Sequence, residues 1–137
     1  MIGPVALSDA LAVSGQPELA DFAALAKEGF EIVVCNRPEG ETADQPVLSE
    51  VRRAVEATGM RFVNYPVTAV TFPGDDLANI ERLFNGSEGK VLAFCRTGTR
   101  CTNLWVVSRA PSERNSAESL ALTLGYDLTL ANNCVQA

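Results

Sequence analysis

Histidine is absent from the 137-residue chain. That removes Ser-His-Asp and Cys-His catalysis within these residues and argues against a zinc site, so neither a metal nor a cofactor is expected. Cysteine is sparse: Cys35, Cys95, Cys101 and Cys134 have no C-x-x-C spacing of zinc or redox type. No apolar run is long enough to cross a membrane, and Met1 to Ala12 lacks the basic start and apolar core of a signal peptide. A cytoplasmic, reducing compartment with free thiols is the expected setting. Positive charge is also scarce. Eleven Lys and Arg against 17 Asp and Glu give a net charge of −6, which argues against a nucleic-acid partner and against an anionic membrane surface.

What is present fits an ordinary globular chain. The composition is 47% hydrophobic and 20% charged, and 137 residues suit one domain spanning 1–137. A chain of this size buries roughly two-thirds of its unfolded surface, enough for a conventional core.

Read in order, Met1 to Asp9 is an irregular lead-in. Leu11 to Ser14 is a short strand. Ser14-Gly15-Gln16-Pro17 is a turn, with Pro17 opening a helix that runs through Lys27 and stops at Gly29. Ile32 to Cys35 is a buried strand, followed by a polar loop, Asn36 to Asp44. Pro46 to Thr58 is the second helix and Arg61 to Tyr65 the third strand. Pro66 to Gly74 is a loop, after which Asp75 or Asp76 caps a helix ending at Leu83 or Phe84. Val91 to Phe94 is a strand. Thr102 to Ser108 reads as the next helix, Asn115 or Ser116 begins the last one, and the tail from Tyr126 carries no strong pattern. Strands alternating with helices imply an α/β fold: a three-layer domain with a mainly parallel sheet of four or five strands flanked by helices. Ligands bind such sheets at the carboxyl ends of the strands, where Cys35 with Asn36-Arg37, Tyr65-Pro66-Val67 and Cys95 all fall.

The chain is organised around Lys90 to Cys101, K-V-L-A-F-C-R-T-G-T-R-C: a strand, a tight loop and the start of a helix. Backbone N–H groups of such a loop converge on one concavity, with a helix dipole behind them, and favour an anion there. A thiolate is an anion too, so the cradle ionises Cys95; cysteines so placed have pKa values of roughly 3.5–7.5. Cys95 is the candidate nucleophile. Arg100, separated from it by four residues, can grip two oxygens of a tetrahedral anion. Arg96, Thr97, Gly98 and Thr99 complete the candidate anion-binding loop, Asn103 can bond its backbone, and a small oxyanion is the expected substrate.

C-R-T-G-T-R resembles the active loop of rhodanese-type sulfurtransferases. S-G-Q-P, C-N-R-P-E-G-E, Y-P-V and F-C-R-T-G-T-R-x-x-N-L-W resemble the bacterial beta-lactamase-hydrolase-like, or phosphatase-like, domain over about Ala10 to Asp127. That resemblance implies a fold like that of dual-specificity phosphatases. It also implies either phosphatase or sulfur-transfer chemistry at Cys95.

Two observations make sulfur transfer the leading expectation. The resemblance to phosphatases implies an acidic residue near Thr68 or Ala69 to protonate the leaving group, but the loop has no carboxylate until Asp75. The four-residue spacing between Cys95 and Arg100 is also that of rhodaneses, whereas phosphatases have five. A sulfurtransferase would carry a persulfide on Cys95 and deliver it to a thiol acceptor. The alternatives are a phosphatase acting through a Cys95 phosphocysteine and a non-catalytic oxyanion- or partner-binding module. Cys101 is either a resolving cysteine or a support for the loop. Arg37 either lines the site or pairs with Glu39 or Glu41 to fix its own loop. Cys35, Leu104 and Trp105 read as core.

Overall fold

The computed structural model describes residues 3–135. In chain order the elements are β1 (Val5–Ala6), β2 (Leu11–Ser14), α1 (Asp21–Lys27), β3 (Ile32–Cys35), α2 (Leu48–Glu56), β4 (Arg61–Asn64), α3 (Leu77–Phe84), β5 (Val91–Phe94), α4 (Thr99–Ser108), α5 (Pro111–Thr123) and α6 (Thr129–Val135). The strands form one sheet in the order β1-β2-β5-β3-β4. β2, β5, β3 and β4 are mutually parallel, and β1 pairs antiparallel with β2.

Strand periodicity divides the core in two. Leu11, Val13, Ile32, Val34, Val91, Ala93 and Cys95 face α3, α4, α5 and α6. Ala12, Val33, Cys35, Phe62, Leu92 and Phe94 face α1 and α2. This is the three-layer α/β arrangement implied by the alternation of strands and helices. Cys101 through Ser108 of α4 are all buried, which makes α4 the central helix of its layer. The register matters for function. Ser14 and Cys35 both lie opposite Phe94, and Cys35 lies opposite Asn64, so the carboxyl ends of all four parallel strands finish level.

Several boundaries differ from the sequence reading. The lead-in contains β1, whose two residues are too few to show periodicity. Met1 and Ile2 lie outside the described residues. α1 begins at Asp21 because the Glu18 N–H bonds the Asp21 carboxylate in a turn (2.8 Å). α2 begins at Leu48, whose N–H donates to the Glu39 carboxylate at 3.1 and 3.2 Å. Asp76 is the N-cap of α3, accepting from Asn79 N. α5 starts four or five residues earlier than expected, with Pro111 in its first turn where a missing N–H costs nothing. The tail forms α6 up to Val135.

Candidate active site

β5 delivers Cys95 to the level edge of the sheet, where its N–H donates to Ser14 O at 3.3 Å. The chain then turns through Gly98, at φ +90, a left-handed conformation that L side chains rarely adopt. A Cβ there would meet the Tyr126 hydroxyl at 3.4 Å. α4 starts at once, at Thr99 rather than the expected Thr102, so Arg100 and Cys101 belong to its first turn and their N–H groups have no helical partners. Thr102 Oγ1 holds Gly98 O at 2.8 Å, and Thr97 Oγ1 donates to Thr99 Oγ1 at 3.1 Å.

The Cys95 side chain is the focus of these donors. Gly98 N lies 3.1 Å from its Sγ. The Cys101 thiol beside it contributes most to lowering its pKa. Burial opposes this, the N–H groups of Cys101, Thr97 and Arg100 reinforce it, and the result is a pKa of about 5. Burial and the adjacent Cys95 thiolate push Cys101 well above the ordinary thiol value, so Cys101 keeps its proton beside the thiolate. Cys35 differs: burial pushes it up to about 12, and its Sγ donates to Arg37 O at 3.2 Å.

Arg100 is oriented by Glu41, which the sequence suggests only as a partner for Arg37. Glu41 binds it in a bidentate ion pair, Oε2 to Nη1 at 2.9 Å and Oε1 to Nη2 at 3.1 Å. Nη1 also donates to Val67 O at 2.8 Å, with a longer contact to Asn36 O at 3.5 Å. A guanidinium has five N–H donors. Glu41 and Val67 take three, and the remaining two, on Nε and Nη2, share one edge. Burial raises the Glu41 pKa, but the hydrogen bonds and charges of Arg100 and Arg37 outweigh it and hold the carboxyl below its usual range.

Arg37, expected either to line the site or to pair within its loop, does the latter. It is buried and donates to Glu41 Oε1 at 3.1 Å, Gln16 Oε1 at 2.9 Å and Thr42 Oγ1 at 2.9 Å. It does not line the concavity around Cys95. That concavity has a volume of about 270 Å³ and is bounded by Cys95, Arg96, Thr97, Thr99, Arg100 and Leu130. Leu130 comes from α6, in the tail that sequence reasoning left without pattern. Asn103 anchors that helix: its Nδ2 donates to Thr99 O and Asp127 O, both at 2.8 Å, and its Oδ1 accepts from Ala131 N at 2.9 Å. In the sequence Glu41 closes the C-N-R-P-E-G-E motif and is suggested as a partner for Arg37, with nothing that ties it to Arg100.

A level row of strand ends, an ionised cysteine in a cage of N–H groups and an arginine with one open edge define a cysteine-phosphatase-like α/β domain. The family model described as "Beta-lactamase hydrolase-like protein, phosphatase-like domain" matches residues 5–112, and the chain belongs to that family. A beta-lactamase hydrolase-like protein of Agrobacterium fabrum is 32% identical over 135 residues, covering 96% of this chain and 31% of that protein. The chain thus spans under a third of the length of the curated relatives it matches. A candidate phosphatase of Neisseria meningitidis, known from its crystal structure, is 31% identical, with 86% of this chain and 87% of that chain covered and a TM-score of 0.69. TpbA of P. aeruginosa, solved in complex with pTyr, shares the fold at 19% identity and a TM-score of 0.57, over 81% of this chain and 66% of that one.

These findings overturn sulfur transfer as the leading expectation. The family is described as phosphatase-like, and the structure that is 31% identical is that of a candidate phosphatase. The four-residue spacing between Cys95 and Arg100, which is also that of rhodaneses, sits here in a cysteine-phosphatase-like fold, with Arg100 in the first turn of α4. Neither a persulfide nor a thiol acceptor is supported. Among the described residues, no helix is long and apolar enough to cross a membrane.

Proposed function

We propose that this domain is a cysteine-dependent phosphatase acting on a small phosphoryl substrate. Cys95 is the nucleophile. The open Nε/Nη2 edge of Arg100 binds two phosphoryl oxygens, and the N–H groups of the loop from Arg96 to Thr99 and of the first turn of α4 bind the rest. Thr97 and Thr99 brace the loop, Gly98 permits its turn, and Cys101 supports the thiolate rather than resolving it. The observation that carries this reading is the Gly98 N–H at 3.1 Å from a Cys95 sulfur whose pKa is lowered to about 5. The chain acts as one domain. Its place is a reducing compartment, the cytoplasm, where the working thiol and Cys35, Cys101 and Cys134 stay free.

The test is hydrolysis of an activated aryl phosphate. The chain is expected to release phosphate near neutral pH, Cys95→Ser to release none, and Arg100→Lys to lose about 10²–10³-fold in kcat. Release that persists in Cys95→Ser contradicts the proposal.

A further inference from the structure

A phosphatase must deal with the charge that develops on its leaving group. Proton donation by a placed acid contributes about 10²–10⁴-fold in rate. Among the described residues, the concavity around Cys95 offers no such acid. Its walls are Cys95, Arg96, Thr97, Thr99, Arg100 and Leu130, and the chain has no histidine. Glu41 cannot serve. Both its oxygens are held by arginines, which keep it ionised, and it lies on the far edge of the Arg100 guanidinium. The loop after β4 presents hydroxyls instead: Thr68 Oγ1 is engaged by Thr71 Oγ1 at 3.2 Å and by the N–H groups of Val70 and Thr71. Asp75 is exposed and lines neither the concavity nor the cleft beside it, and Asp76 is committed to capping α3.

A second observation concerns the space beside the concavity. Arg96 is exposed and, among the described residues, makes no hydrogen bond or ion pair. It lines both the concavity and an adjoining cleft of about 360 Å³. Gln16, Arg37, Thr42 and Gln45 help to wall that cleft. The polar atoms of Gln16, Arg37 and Gln45 are largely taken up by one another and by neighbouring groups, so Arg96 is its uncommitted cation. Glu18 and Asp44 also border it. Two carboxylates beside one uncommitted cation suit a leaving group of low charge and not a polyanion.

We infer that the substrates are acyl phosphates, whose leaving group departs into the Arg96 cleft as a carboxylate and needs no proton. This rests on the phosphatase reading above. As Cys95 Sγ bonds to phosphorus, the P–O bond to the acyl group breaks and its electron pair leaves with the carboxylate. Carboxylic acids have pKa values near 4 in water, so the anion is stable at neutral pH, with Arg96 beside it. Water then attacks the phosphocysteine. The S–P electron pair returns to Cys95 Sγ, and both water protons stay with the released phosphate, as dihydrogen phosphate. No redox partner is involved.

The test is one panel on the intact chain: acetyl phosphate, aryl phosphates spanning a range of phenol pKa values, and phosphoserine as an alkyl phosphate, each corrected with Cys95→Ser. The expected result is a kcat/KM that falls steeply as the phenol pKa rises, with acetyl phosphate favoured over phosphoserine by about 10³-fold or more. If phosphoserine is hydrolysed within about tenfold of acetyl phosphate, a proton donor operates and the inference fails while the phosphatase reading stands. If aryl phosphates turn over and acetyl phosphate does not, acyl phosphates are excluded. If a folded chain releases phosphate from none of them, the phosphatase reading itself falls.

Discussion

Glu41 occupies one edge of the Arg100 guanidinium, at 2.9 and 3.1 Å, and leaves the other edge open. The pair is partly buried, and Arg37 anchors its acidic member from the opposite side. Its consequence is orientation, because a guanidinium fixed on one edge presents the other at a defined angle and loses little freedom on binding an oxyanion.

Replacing Glu41 by Gln keeps the volume but turns one acceptor into an N–H₂ facing guanidinium donors. Aryl phosphate hydrolysis is expected to fall about tenfold in kcat/KM. Steady-state kinetics, with a circular-dichroism check of folding, measures it. An unchanged kcat/KM means that Arg100 is held by Val67 O and Asn36 O alone.

Cys101 is the largest single influence lowering the Cys95 pKa. Cys101→Ala removes that donor, so the Cys95 pKa rises and the ascending limb of the rate profile moves to higher pH. Cys101→Ser, which keeps a donor, is expected to stay near wild type. Titration of the thiolate ultraviolet absorbance in the three proteins checks the order. Equal values in all three would leave the N–H cage as the sole cause.

The pH dependence has two signatures. kcat/KM is expected to rise as pH passes upward through about 5, where Cys95 ionises. Folding stability follows the same group. The Cys95 pKa is lowered from 9.0 to about 5 on folding, so its stabilisation is complete above the unfolded value and is lost as pH falls through the folded one. At pH 7 this amounts to roughly 2–3 kcal/mol. Urea unfolding of wild type and Cys95→Ser between pH 5 and 9 is expected to show a gap that moves in favour of wild type as pH rises. A constant gap contradicts the account.

Asn103, itself buried, joins the active loop to α6 and the turn before it through three hydrogen bonds. Asn103→Ala leaves the buried Ala131 N–H without a partner and takes a donor from the part-buried Thr99 and Asp127 carbonyls, and it is expected to cost about 1–3 kcal/mol, read from the urea midpoint. Loss of α6 packing also exposes the concavity at Leu130, so activity falls along with stability.

Much of this was legible in the sequence. β2, β3 and β5 have the bounds read for them because each is a four-residue run buried on both faces. Cys95 and Arg100 stood out because their loop joins a strand to a helix. What was not legible depends on distant partners. Glu41 matters because Arg100 lies 59 residues away. α6 is only seven residues long, too short for a helical period to stand out, and it is positioned by the buried Asn103 of α4. Loop length suggested sulfur transfer. The spacing between Cys95 and Arg100 does not by itself separate the two chemistries, because the same spacing occurs here in a phosphatase-like domain, and α4 starts at Thr99, three residues before the expected Thr102.

The central claim is that Cys95 accepts the phosphoryl group. The most direct measurement is intact-protein and peptide mass spectrometry after rapid neutral quenching of the chain during turnover of an activated aryl phosphate. The account predicts a gain of one phosphoryl group on the peptide carrying Cys95, chased away by further incubation and absent in Cys95→Ser. Steady phosphate release with no adduct at Cys95 at any quench time, or an adduct on another residue, would contradict it.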